Sequence, residues 1–157
     1  MMRVAQLALL IILTVSFVGC SYSTDFVAVN QTDTAIFVVY KFKTFENQMS
    51  KFEIAPAVAM ESEVSGRHKT KWERLSADRY EVDQAQRIVR LSLHAHEALW
   101  VTTMSHYVGD KNPHDVASFP VEEISMSGPA GEIKFTGDQA RQAFESQSTT
   151  LYTLAYK

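Results

Sequence analysis

"QRIVRLSLHAHEALWVTTMSHY", Gln86 to Tyr107, decides the fold. Successive side chains of a β-strand point to opposite faces, so apolar residues two apart mark a half-buried strand. Val89, Leu91 and Leu93 share one face, and Arg90, Ser92, His94 and His96 share the other. The second half repeats the pattern, with Trp100, Thr102 and Met104 opposite Leu99, Val101 and Thr103. β-Branched and aromatic residues are common in both halves, as a pleated, half-buried surface favours. Two adjoining segments of this kind predict two successive strands.

The same reading extends outward in both directions. "DFVAVN" (Asp25 to Asn30) ends in the turn-forming "NQTDT". In "AIFVVYKFK" (Ala35 to Lys43), Ile36, Val38, Tyr40 and Phe42 share one face, and Lys41 and Lys43 the other. Pro56 separates "KFEIA" from "AVAMESEV", which makes their junction a kink or an edge. A weaker strand surrounds Tyr80 and Val82. "VEEISMS" and "GEIKF" form a hairpin around the three-residue turn Gly128-Pro129-Ala130. "LYTLAYK" closes the chain with Tyr152, Leu154 and Tyr156 on one face.

One short helix is expected near the C-terminus. "GDQARQAFESQ" places Ala140, Ala143, Phe144 and Gln147 on one side, at helical spacing. About eight to ten short strands with frequent loops predict an all-β fold, an antiparallel β-sandwich of immunoglobulin- or transthyretin-like architecture. A small closed β-barrel is the alternative. Without a repeat, low-complexity segment or linker, residues 25–157 read as a single β-rich domain.

The N-terminus differs in kind. Arg3 precedes an apolar run from Val4 to Val18, interrupted only by Gln6, Thr14 and Ser16. A charge followed by a short apolar run is the pattern of an export signal. At about 22 Å as a helix, the run is short for a hydrocarbon core of about 30 Å. It ends in "FVGC", Phe17 to Cys20, which contains the chain's one cysteine. This stretch resembles the lipobox of bacterial lipoproteins, with Phe17 where that class prefers Leu. The resemblance implies a cleaved signal over 1–19, acyl chains on Cys20 and a lipid-anchored tether over 20–24. It also implies residence in the bacterial cell envelope. Ser21 follows the cysteine where an Asp would favour the inner membrane, which implies the outer membrane facing the periplasm.

Removing Arg3 leaves 14 Lys and Arg against 18 Asp and Glu, a formal charge of −4. That balance gives no general attraction to nucleic acid. With Cys20 committed to lipid, no disulfide can staple the domain, which must fold on its apolar core.

The sequence carries no catalytic motif. No Gly-x-Ser-x-Gly elbow is present, and the six glycines are isolated rather than grouped into a phosphate-binding loop. Glu122 and Glu123 are adjacent, so strand geometry sets them on opposite faces rather than across a cleft. The leading reading is therefore a non-enzymatic binding or accessory module without a cofactor other than the lipid, whose partner is another envelope protein or polymer. Its candidate binding residues are Arg67, Lys69, Lys71, Trp72 and Arg74, a basic loop with one aromatic that could stack on or pair with an anionic partner. The loops over Thr44–Ser50, Gly66–Arg74 and Val108–Pro120 would present the binding surface. The alternative is a periplasmic carrier of a divalent metal or small ligand. It would use His94 and His96, two apart on one strand face, with His106 or the His114-Asp115 pair as the third ligand.

Overall fold

The computed structural model of the chain describes residues 21–44, 54–65, 69–107 and 118–157. Among these residues are eleven strands: β1 (Ser21–Asn30), β2 (Ile36–Phe42), β3 (Ala57–Met60), β4 (Glu73–Arg74), β5 (Tyr80–Asp83), β6 (Ile88–Leu93), β7 (Glu97–Tyr107), β8 (Val121–Gly128), β9 (Gly131–Thr136), β10 (Glu145–Ser148) and β11 (Leu151–Tyr156). One helix, α1 (Asp138–Gln142), lies between β9 and β10. A six-stranded sheet has the order β10-β11-β1-β7-β3-β4, and a five-stranded sheet the order β5-β6-β2-β8-β9. All pairings are antiparallel except β1 with β11. Both sheets keep open edges, so the architecture is a sandwich and not the closed barrel.

The alternation read from the sequence builds the interior. Ile36, Val38 and Tyr40 of β2, Val89, Leu91 and Leu93 of β6, and Ile124 and Met126 of β8 are buried. They join one cluster with Phe26 and Ala28 of β1, Leu99 of β7 and Leu154 and Tyr156 of β11. β1 is buried on both faces, which explains its unbroken apolar run. Phe26 and Ala28 face the second sheet, while Val27 and Val29 form an outer cluster with Ala98 and Leu151, against which Val64 and Trp72 pack.

Four features depart from the sequence reading. The segment Ser21–Thr24, read as a tether, is the start of β1, pairing with β7 from Ser21↔Tyr107 to Thr24↔Met104. Thr24 and Asp25 are fully buried. On β7, Phe26 pairs with Thr102 and Val27 with Trp100, which leaves Val101 as a bulge. An extra residue reverses the facing beyond it. Met104 therefore joins Leu99 and Val101 in the core instead of opposing them. The β8–β9 turn has two residues, Pro129 and Ala130, because Gly128 is still paired with Gly131. The helix stops at Gln142, and Gln147, read as part of its apolar side, lies in exposed β10.

The sandwich has two distinct ends. At one end β1 begins and β2 finishes, with Phe119 and α1 packed nearby. Phe26 meets Phe119 at 4.9 Å and Phe144 at 5.5 Å between ring centroids. At the other end β1 finishes at Asn30 and the β6–β7 turn folds over it. The Asn30 amide donates to the carbonyls of Thr34 (2.7 Å), Leu93 (3.2 Å) and His94 (2.8 Å), while its oxygen accepts from the Thr32 N–H at 3.0 Å. One side chain thus ties the β1–β2 loop to the β6–β7 turn.

Candidate functional site

The β6–β7 turn gathers two histidines and several carboxylates. β6 ends at Leu93, so His94 and His96 lie in the turn and not on one strand face. His96 takes φ +56°, the left-handed conformation a tight turn requires. Their partners differ as a result. His94 Nδ1 lies 3.6 Å from Glu97 Oε1. His96 Nε2 lies 3.0 Å from Asp33 Oδ1, and its Nδ1 lies 3.5 Å from Glu61 Oε2. The hydrogen bond that His96 donates to Asp33 raises it above the ordinary histidine range, with partial burial opposing this and Glu61 adding to it. His106 sits near the far end of β7, roughly 30 Å away along the strand at its ordinary rise per residue. The three histidines proposed as metal ligands therefore do not converge, and no metal-binding group of three occurs among the described residues. His114 and Asp115 lie outside the described residues.

Beside this turn Arg79 and Glu97 form a largely buried ion pair. Burial alone would raise the Glu97 carboxyl, but the Arg79 guanidinium and the His94 N–H hold it below the usual carboxylate range. Gln31 donates to Glu61 at 2.6 Å. Gln31 and Glu61 also line a groove of about 530 Å³, together with Val29, Val64, Leu151, Ile133 and Phe135. Glu61 belongs to both the groove and the charged turn, and the groove's lining mixes these apolar side chains with Glu145, Gln147, Thr153 and Lys157. Such a surface can receive a side chain or polymer segment in the groove and hold its polar groups at the turn.

The basic loop is arranged differently from the sequence reading. Trp72 is half-buried and packs on the outer cluster of the six-stranded sheet, so it is not an exposed stacking surface. Its Nε1 is buried and has no hydrogen-bond partner among the described residues. Lys69, Lys71 and Arg74 are exposed, and Lys71 lies 3.7 Å from Glu73. Arg67 and Cys20 lie outside the described residues. Glu122 and Glu123, assigned to opposite faces, instead both reach lysines on the outer face of the five-stranded sheet. Glu122 pairs with Lys41 at 3.0 Å and Glu123 with Lys134 at 2.8 Å. The cause is the register shift between Lys41 and Phe42, where Lys41 pairs with Glu123 and Phe42 with Val121.

Two buried charges escaped the sequence reading. Asp25 is 1% exposed; its Oδ1 accepts from Thr103 Oγ1 at 2.6 Å, and its Oδ2 has no partner among the described residues. Arg141 is 6% exposed, and its guanidinium carbon lies 4.7 Å from the Phe26 ring centre and 4.4 Å from that of Tyr152. Asp25 shares the outer face with Leu151, while the rings beneath Arg141 belong to the inner face, so the two charges do not pair. The Asp before "FVAV" shows no sign of burial in the sequence, and Arg141 lies off the apolar side of the helix. No protein-family model matches the chain, and no curated protein or solved structure matches it either.

Proposed function

We propose that this chain is a lipid-anchored lipoprotein of the bacterial cell envelope, acting as a binding or accessory module for a protein or envelope polymer. The observation that carries the reading is continuity. Cys20, the residue that the "FVGC" pattern marks for acylation, is joined directly to β1, whose pairing with β7 begins at Ser21↔Tyr107. An acylated Cys20 would mount the sandwich on the membrane through a paired strand rather than a loose linker. More than one acyl chain is needed for stable anchoring, which is what this lipoprotein class attaches.

The mounting would separate the two ends of the sandwich. The end where β1 begins would face the lipid. The β6–β7 turn would stand about 30 Å away, the length of a ten-residue strand at its usual rise. The flanks of the loops expected to bind a partner are placed accordingly. Thr44, Tyr107 and Ser118 leave from the lipid-facing end, and 69–74 crosses the outer face of the six-stranded sheet, leaving the β6–β7 turn as the outward surface.

Labelling with radioactive fatty acid tests the anchor. The wild type should incorporate label and fractionate with membranes, and Cys20→Ala should do neither. Equal labelling of the two overturns the anchor. A photo-crosslinking residue at Asp33, compared with one at Lys134 on the opposite sheet, tests the outward surface. A discrete adduct from Asp33 alone supports it, and equal adducts from both positions overturn it.

A further inference from the structure

The most anomalous group in the domain is Arg141. A guanidinium stays charged at every relevant pH and carries five N–H donors around its edge. Here it is 6% exposed, its Nε is buried without an acceptor, and among the described residues neither a hydrogen bond nor an ion pair engages it. The Phe26 and Tyr152 rings, stacked at 5.4 Å, hold it at 4.7 and 4.4 Å from their centres. Both rings lie on one side of the cation, and no acceptor among the described residues meets its N–H edge. Cation–π contacts return only part of what it costs to remove an ion from water, so such a cation calls for an anion.

The side chain is also held in place. Ala140 before it is fully buried, as is Phe144 three residues on, so α1 is pinned to the core on both sides of Arg141. A stacked, pre-positioned guanidinium fork fits two oxygens of one anion, because its parallel N–H bonds match their spacing. We infer that Arg141 is the cation of an oxyanion-binding site at the α1 end of the sandwich, and that its ligand is a phosphate group. The site depends on the surroundings of Arg141 alone and stands whether or not Cys20 is acylated.

Thermal unfolding of the full chain in phosphate and in sodium chloride of equal ionic strength tests this. At about a hundredfold excess over Kd, inorganic phosphate should raise the Tm by several degrees. Arg141→Met keeps an unbranched side chain over the two rings and removes the charge. It should fold in sodium chloride and show no phosphate-dependent rise. If it does not fold, Arg141→Lys keeps a cation without the fork, and its rise should be several-fold smaller. Calorimetry with inorganic phosphate and with glycerophosphoglycerol, a deacylated phospholipid headgroup, identifies the source. Tighter binding of the first supports free phosphate, and of the second a lipid headgroup. Absence of a Tm rise or binding heat with either probe overturns the site, as does a rise in either variant equal to that of the wild type.

Discussion

Arg79 and Glu97 clasp the two sheets together. Arg79 leads into β5 of the five-stranded sheet and Glu97 begins β7 of the six-stranded one. Arg79 Nη1 donates to Glu97 Oε1 at 3.1 Å, and Nη2 donates to both Oε2 and the Ser92 carbonyl. Oε2 also accepts from the His94 N–H at 2.7 Å. The pair is 20% and 13% exposed. Removing one partner leaves the other charge poorly solvated, which costs about 3–5 kcal/mol when burial is complete. With this residual exposure, Glu97→Gln and Arg79→Met should each cost about 2 kcal/mol in urea unfolding. In a double-mutant cycle the second substitution should cost less than the first, since the stranded charge has gone.

The same carboxylate sets a pH dependence. Its folded pKa lies below the ordinary 4.5, so its stabilising effect is complete above that value and is lost as pH falls through the lowered folded pKa. Stability measured from pH 6 to pH 3 should decline in the wild type, and Glu97→Gln should flatten that part of the curve. Identical slopes would place the acid sensitivity elsewhere.

His96 should respond in the opposite direction. Its folded pKa lies above the ordinary 6.5, chiefly through the hydrogen bond with Asp33. The imidazolium's contribution is therefore full below 6.5 and is lost as pH rises through the raised folded pKa. NMR titration should show His96 with a midpoint above 6.5, and Asp33→Asn should lower that midpoint toward the ordinary value. An unchanged midpoint would mean that Asp33 does not hold the ring.

The strands were legible wherever alternation ran uninterrupted. Ile36, Val38 and Tyr40, and Val89, Leu91 and Leu93, face the core as their spacing requires. The failures lie at single residues that alter the period. The Val101 bulge turns Met104 inward, and the shift opposite Phe42 sets Glu122 beside Glu123 on the outer face. Local sequence carries little signal for a bulge, because it is selected by the partner strand's register. The candidate histidines failed for a related reason. Alternation was continued through His94 and His96, whereas the left-handed φ of His96 belongs to a turn. The parallel pairing of β1 with β11 joins residues more than a hundred positions apart, beyond the reach of local patterning. Arg141 was hidden by its charge, which ordinarily marks an exposed position.

Gly128 closes the β8–β9 hairpin where the two sheets approach. An added Cβ there would stand 2.7 Å from Ile36 Cγ2 and 3.1 Å from Tyr156 Cε1 and Oη. Ile36 is 1% exposed and cannot withdraw freely. Gly128→Ala should therefore cost about 1–3 kcal/mol by overpacking. It should also disturb the 2.7 Å hydrogen bond from Tyr156 Oη to the Gly131 carbonyl. Tyr156→Phe removes that bond without a clash and should cost about 1 kcal/mol. A neutral Gly128→Ala in urea unfolding would show that the hairpin moves away at little cost.

Trp72 distinguishes a packing role from a recognition role in the basic loop. Its ring helps cover Val27, Val29, Ala98 and Leu151, and its buried N–H finds no acceptor among the described residues. Truncation to Ala would uncover that apolar surface and should cost about 2 kcal/mol, below the full-burial range because the ring is only half-buried. Replacement by Phe keeps most of the apolar contact and removes the unsatisfied donor, so Trp72→Phe should be close to neutral. A ring held outward for stacking on a ligand would behave otherwise, with both variants as stable as the wild type. Urea unfolding of the two variants decides between these roles. A stability loss confined to Trp72→Ala fixes Trp72 as cover for the outer cluster, and leaves Lys69, Lys71 and Arg74 as the loop's exposed cations among the described residues.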